Sequence, residues 1–209
     1  MRFRLWRLRL LGRLGGSALG EPVALRFRPG RRRAAWNRNV VALGLAAGFL
    51  EPLEATSIHL IQRGIAMLLK FFPDRDFAAA DIDRYNCTIE SEFCRARDFL
   101  LLHYSQTERA GPFWRHCRDI PLTGSLRGKI ELFRSHGRIL REDTELFPVN
   151  SWLSVMVGQN ILPRRYDPLV DALDAHKVES RLGELRSAVR DCVAAMPLHW
   201  EFIQRADAS

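Results

Sequence analysis

The chain has 209 residues, 47% of them hydrophobic and 27% charged, enough for one domain with a real core and an ordinary balance for a globular protein. The formal net charge is +8, but residues 1–35 hold ten arginines and a single acid, Glu21, so the remainder carries −1 and a basic nucleic-acid or membrane face across the body is disfavoured. No apolar run approaches the roughly 18–20 residues of a membrane span, and Cys87, Cys94, Cys117 and Cys192 form no CxxC pair, which leaves zinc and thiol-redox motifs without support.

In residues 1–19, arginine alternates with Phe, Leu and Trp over the first nine. They read as a basic arm that is not part of the fold, and Arg7, Arg9 and Arg13 interrupt any signal-peptide apolar core. Glu21 to Phe27 has a short strand pattern, and Pro29-Gly30 is a turn signal ahead of Arg31, Arg32 and Arg33, which read as a structural surface turn. Asn39 to Leu43 predicts a buried strand. Gly44 and Gly48 follow, where close backbone approach or positive φ is available. Pro52 favours a turn, and Thr56 or Ser57 can cap the helix that comes next. Ile58, Ile61, Ile65, Leu68 and Leu69 recur at helical spacing to about Phe72.

Pro73-Asp74 breaks that helix. A second starts near Asp81, with Asp76 or Asp81 as cap, and Ile82, Tyr85, Ile89, Phe93, Ala96, Leu100 and His103 keep the 3.6-residue period to about Ser105. Phe113 to Cys117 predicts a short helical turn. Leu126 to Ser135 predicts a helix introduced by Pro121 to Ser125 and ended by Gly137. Asp143 to Asn150 reads as a loop and Ser151 to Val157 as a short helix. Pro163 to Pro168 is irregular. Asp171 and Asp174 introduce a last helix, Ala175 to Met196, with Val178, Leu182, Leu185, Val189 and Val193 on one face, before Met196-Pro197 and a final turn. The fold class is mainly α with a small β part.

One stretch stands out. Asn37-Arg38-Asn39, Gly44-Leu45, Gly48-Phe49-Leu50-Glu51-Pro52-Leu53-Glu54 and Thr56-Ser57-Ile58-His59-Leu60 lead from a strand pattern through glycines into a helix start, a common arrangement for binding an anion. These motifs resemble the late flavin-site segment of the flavin-dependent (tryptophan) halogenases, and the resemblance extends from about Gly20 to about Ile203. It covers the C-terminal part of such an enzyme, the helical portion of an FAD-dependent monooxygenase/halogenase fold. The resemblance divides the chain into the arm 1–19, a flavin-site strand-loop-helix at 20–62 and a helical substrate-side domain at 63–209. It implies that reduced FAD, oxygen and halide halogenate an indole-like aromatic, with a flavin reductase as partner.

Residue by residue, the resemblance places the family's catalytic glutamate at Glu54, its halide site at Thr56 and Ser57, and flavin-lining positions at Leu45, Gly48 and Ile58. Ala55 stands where many members carry serine. By the residues alone, Glu54 is equally a first-turn acid favoured by the helix dipole, and Thr56 and Ser57 are equally plain caps. The segment Glu145-Leu146-Phe147-Pro148-Val149-Asn150-Ser151-Trp152 resembles the substrate-side loop. Pro148 falls where one member carries Trp, so Phe147 and Trp152 are the candidates for a π surface, with core packing as their other reading. No metal site is implied. His59, His103, His116 and His136 have no metal-like or triad spacing and read as structural or surface residues.

Gly12, Gly15, Gly16 and Gly20 do not make GxGxxG, a WxWxIP motif is absent, and Lys70 and Lys129 sit in helical patterns outside any matching motif. The expectation is therefore a chain without the N-terminal dinucleotide-binding βαβ unit and the catalytic lysine, cytoplasmic, inactive alone, with apolar surface left exposed. Two alternatives stay open: one chain of a split enzyme whose N-terminal half is a separate polypeptide, and a non-catalytic helical binding module.

Overall fold

The computed structural model describes residues 20, 23, 28–142 and 145–207. The basic arm and nearly all of the expected Glu21 to Phe27 strand lie outside these residues. The chain divides into two compact units, Met1–Arg97 and Asp98–Ser209.

In the first unit the β part is two minimal antiparallel pairs. Strand β1 (Gly30–Arg31) pairs with β4 (Gly48–Phe49), matching Gly30 to Phe49 and Arg31 to Gly48. Strand β2 (Trp36–Asn37) pairs with β3 (Val40–Val41) across a tight turn in which Arg38 has φ 55°. The buried strand expected at Asn39 to Leu43 is thus only two residues long, and Val40 is exposed. Burial instead comes from Trp36, whose ring meets Tyr85 edge-on at 5.4 Å. The arginine turn is structural. The Arg32 backbone N–H donates to Ala47 O (2.7 Å), its Nε donates to Ala46 O (2.6 Å), and Arg31 pairs with Glu90.

Helix α1 (Thr56–Lys70) and helix α2 (Ala79–Ser105) follow. The core of this unit joins Ala35, Trp36, Ala47, Met67, Tyr85, Ile89 and Phe93. On α2 the predicted stripe is the buried one: Tyr85, Ile89, Phe93, Ala96 and Leu100 are all inside. On α1 it is not. The helix buries Thr56, Gly64 and Met67 and leaves Ile58, Ile65 and Leu69 exposed. Gly64 explains the choice, because a Cβ there would lie 2.9 Å from Leu43 Cδ2, so the side without a side chain is the side that packs. The boundary between the units falls inside α2.

The second unit adds α3 (Pro112–Arg118), α4 (Gly124–His136), α5 (Val149–Gly158), α6 (Ala175–Ala195) and α7 (His199–Asp207). Thr123 caps α4 by accepting from Leu126 N, and Gly137 ends it in the left-handed region at φ 73°, as a C-terminal glycine should. Asp174 caps α6, accepting from His176 N (2.9 Å) and Lys177 N (3.2 Å). Asp171 does not take part in capping; it accepts from Tyr166 Oη. The expected final turn is a nine-residue helix, α7. The core here is Phe99, Leu102, Leu126, Ile130, Phe133, Phe147, Trp152, Met156 and Ile161. Among the described residues no helix is long and apolar enough to cross a membrane.

Candidate functional site

The residues around Glu54 occupy an unusual backbone. Pro52 starts a 3-10 turn, Leu53–Ala55, and inside it Glu54 stands at φ 64°, ψ 3°. Ala55, the N-cap of α1, follows at φ 49°, ψ 35°. Two consecutive non-glycine residues are therefore left-handed, a conformation that costs roughly 1–2 kcal/mol per residue for L-amino acids. Such strain persists only where the surroundings over-determine it, and it concentrates at functional sites. The surroundings are visible here. Ala55 N donates to Pro52 O (3.0 Å). Upstream, Gly44 takes φ +58° and an added Cβ would meet Ile61 Cγ1 at 3.0 Å, which locks the 3-10 turn Gly44–Ala46 against α1. The Tyr85 hydroxyl donates to Gly64 O (3.4 Å), and burial pushes its pKa up, so it stays a neutral donor.

The left-handed pair delivers the chain into α1 without a side-chain cap. Neither Thr56 nor Ser57 takes the capping role anticipated for them, because both lie inside the helix, after Ala55. Thr56 is buried and Ser57 half-buried. The first N–H groups of a helix have no intrahelical acceptor, and a left-handed residue followed by a right-handed one forms a concave nest of N–H groups suited to an anion. Thr56 has φ −64°, ψ −16°, which with Ala55 meets that requirement.

Leu45 and Ile58, the other sequence candidates, are exposed by 70% and 67%. Both present apolar surface, Ile58 three residues after the left-handed pair and Leu45 in the 3-10 turn Gly44–Ala46. Gly48 has a different role. A Cβ on it would come within 2.8 Å of Gly30 O and Arg31 Cα, so its smallness serves the β1–β4 pairing. Glu54 and Ala55 are exposed.

One polar group next to this site went unremarked in the sequence. Glu92 of α2 is buried among apolar neighbours, accepts from Arg63 Nε at 2.9 Å, and has His59 Nε2 3.9 Å from its other oxygen. His59 and Arg63, one turn apart on α1, both face it. The signal was available: Glu92 lies between Ile89 and Phe93 on the face that must be inside.

Phe147 and Trp152 belong to the other unit and are core residues. Phe147 stacks on Phe99 with ring centroids 3.8 Å apart, and Trp152 meets Phe99 edge-on at 4.9 Å. Lys129 Nζ lies 4.9 Å from the Trp152 ring centroid, pairs with the buried Glu145 (2.8 Å) and donates to Leu140 O (2.7 Å), so this lysine is committed to holding α4 to the loop before α5. Among the described residues no group of three His, Cys, Asp or Glu could hold a metal ion.

Comparison with known proteins gives the family. The tryptophan halogenase family model matches residues 8–175. Tryptophan 6-halogenase ThaL of Streptomyces albogriseolus is 37% identical over 155 residues, covering 67% of this chain and 29% of that protein. Among solved structures, BrvH, a flavin-dependent halogenase from Brevundimonas sp. BAL3, is 43% identical with a TM-score of 0.87, covering 94% of this chain and 40% of that one. A flavin-dependent halogenase from Xanthomonas campestris is 44% identical with a TM-score of 0.88, covering 95% and 40%. The chain thus spans two fifths or less of the length of these relatives, and with four fifths of its own residues matched it belongs to the tryptophan halogenase family.

Proposed function

We propose that this chain carries the glutamate and halide-binding portion of a flavin-dependent halogenase that acts on an indole-like aromatic, and that it needs further polypeptide to complete the flavin site and supply the lysine. The observation that carries the reading is the consecutive left-handed pair Glu54-Ala55 at the uncapped start of α1. A plain first-turn acid needs no such strain, whereas a carboxylate that must be held out from a helix start beside an anion nest does.

The residues present fit the halide and ring end of the group. The N–H groups of Thr56 and Ser57, at the start of α1 after the left-handed Ala55, would hold chloride or bromide, and the exposed apolar side chains of Leu45 and Ile58 would lie against a flat heteroaromatic ring. Reduced FAD, when bound and supplied by a reductase, provides with oxygen the two-electron oxidation that converts halide to a hypohalous species. Glu54, just ahead of these N–H groups, would take the proton that the aromatic carbon releases as the carbon–halogen bond forms and pass it to the hydroxide displaced from the hypohalous species, which leaves as water. Its carboxylate also limits where the electrophile can approach. Ala55 offers no hydroxyl to share this work. Phe147 and Trp152 have their rings occupied by Phe99 and by each other's packing, so they give no support for an indole sandwich, and free tryptophan is a weaker candidate than smaller indoles.

Flavin titration of the purified chain, read by fluorescence quenching, tests the requirement for more polypeptide. The expected result is no saturable binding in the micromolar range. Micromolar or tighter binding would overturn it and make this chain a minimal halogenase.

A further inference from the structure

The first two turns of α1 are gripped from α2 by a buried carboxylate. The Glu92 side chain is only 2% exposed, between Ile89 and Phe93 on the core face of α2. An ionised carboxylate in such a place persists only when cations and donors meet it. Both come from α1. Arg63 Nε donates to one oxygen at 2.9 Å. His59 Nε2 stands 3.9 Å from the other oxygen, and it is buried with no hydrogen-bond partner among the described residues. The imidazole contact is too long for a hydrogen bond and acts through charge and dipole.

This grip fixes how α1 is turned about its own axis. His59 and Arg63 are four residues apart and so share a face. Thr56, three residues before His59, lies on that face and is buried. Ile58, next to His59 and about 100° round the helix, is exposed. The apolar residues of α1 alone would choose another rotation, with Ile58, Ile65 and Leu69 inside, yet all three are exposed. Gly64 permits the observed rotation by letting the helix approach Leu43, but a missing side chain supplies no specific attraction. Glu92 does. Turning α1 to bury Ile58 would carry His59 and Arg63 away and leave a buried carboxylate unpaired.

The consequence reaches the candidate site. Helix α1 starts without a side-chain cap after two left-handed residues, and His59 stands in that first turn. We infer that Glu92 is a positioning residue for the halide site: through His59 and Arg63 it sets the rotation of α1 and closes its first turn, and so places the N–H groups of Thr56 and Ser57 and the outward side chain of Ile58. The inference rests on the functional reading above, and Glu92 acts in it only through α1.

The test is amide hydrogen exchange and bromide titration of the full 209-residue chain, wild type and Glu92→Gln. Glutamine keeps the shape and an acceptor for Arg63 but removes the charge. In a regular helix the amides of residues 60–62 donate to the carbonyls of Thr56, Ser57 and Ile58, so they report whether the first turn is closed. Glu92→Gln should speed their exchange by about tenfold or more, while the amides of residues 67–70 at the far end of α1 change by less than about threefold. Bromide, read by the Ser57 amide shift, should bind about fivefold more weakly, the order of one helix-end charge interaction. Charge alone acts the other way, because removing a negative charge near an anion site tightens binding, so weaker binding reports position. A merely stabilising ion pair would speed both ends of α1 by the same factor. That result, unchanged exchange at 60–62, or a bromide affinity that is unchanged or tighter would overturn the proposal. Should Glu92→Gln fail to fold, His59→Gln at a half-buried position decides: the same three amides should speed by about threefold or more, and unchanged exchange there would overturn it. A wild-type Ser57 amide that ignores bromide, with the first turn still loosened by Glu92→Gln, would leave Glu92 as the residue that sets α1 and defeat the halide reading.

Discussion

Asn86 exchanges two hydrogen bonds with the backbone of Trp36: its Oδ1 accepts from the Trp36 N–H at 2.8 Å and its Nδ2 donates to the Trp36 carbonyl at 2.9 Å. The carboxamide substitutes for a neighbouring strand. It ties β2 to α2 and seats the Trp36 ring over Tyr85, while the indole Nε1 donates to Arg38 O at 2.8 Å. Truncation of Asn86 orphans both backbone groups. Asn86→Ala is expected to destabilise the first unit by about 2–4 kcal/mol, since each unsatisfied, partly buried group costs about 1–3 kcal/mol. Denaturant titration followed by tryptophan fluorescence checks this, and a change below about 1 kcal/mol would show that the pair is not made in solution.

The left-handed pair makes an opposite forecast. Glycine adopts positive φ without steric penalty, so Ala55→Gly should stabilise the chain, or at worst leave it unchanged, by about 0.5–1 kcal/mol after the entropy of the unfolded state is counted. Helix N-terminal alanine-to-glycine changes ordinarily destabilise. A drop in the midpoint of chemical denaturation would mean that Ala55 is not left-handed.

Glu54 and the fold should separate cleanly. In a halogenase that contains this segment, Glu54→Gln is expected to lower the halogenation rate by about 10²-fold or more, the order typical of losing a positioned general base. The same substitution should shift the melting temperature of the chain by no more than about 2 °C, since the side chain is exposed and surface changes are usually within ±0.5 kcal/mol. A large thermal shift would assign Glu54 to the scaffold.

Gly48 tests the β1–β4 contact. A Cβ there would press on Gly30 O and Arg31 Cα at 2.8 Å, both backbone atoms that cannot swing away. Gly48→Ala should cost about 1–3 kcal/mol, the range for overpacking a closed site. The Arg32 tether to Ala46 and Ala47 should loosen with it, which amide exchange at Arg32 would report.

Asp167 has a pH dependence whose sign follows from its contacts. The Arg138 Nε donates to Asp167 at 3.0 Å and the Leu169 N–H donates at 3.1 Å, and both hold the carboxyl below its ordinary value; Arg138 is raised in turn by the same bond. A carboxylate depressed in the folded state contributes stability above its unfolded pKa and loses it as pH falls through the folded one. The link between Arg138 and the 3-10 turn Pro168–Ala172 should therefore persist at neutral pH and release only below the usual carboxylate range. A carbon-detected titration of Asp167 should give a midpoint that rises in Arg138→Ala; an unchanged midpoint would show that the guanidinium is not the cause.

Periodicity and punctuation alone determined much of this protein. The α2 stripe from Tyr85 to Leu100, the stop at Gly137 and the cap at Asp174 are local: each depends on spacing or on one residue's own chemistry, so it survives translation from sequence to structure. The motif around Glu54 was legible too, through resemblance. Other features depended on what packs against what. Ile58, Ile65 and Leu69 have the spacing of a buried face, yet α1 turns Gly64 and Met67 inward, because a helix approaches Leu43 and Tyr85 most closely where it has no side chain. Phe147 and Trp152 could have faced a substrate, and it is Phe99, from a helix some fifty residues away, that takes their rings into the core. The Glu92 pairing and the two left-handed residues at Glu54 and Ala55 are likewise tertiary facts. Strain and buried charge are unfavourable locally, and only the surrounding contacts make them the lowest-energy choice.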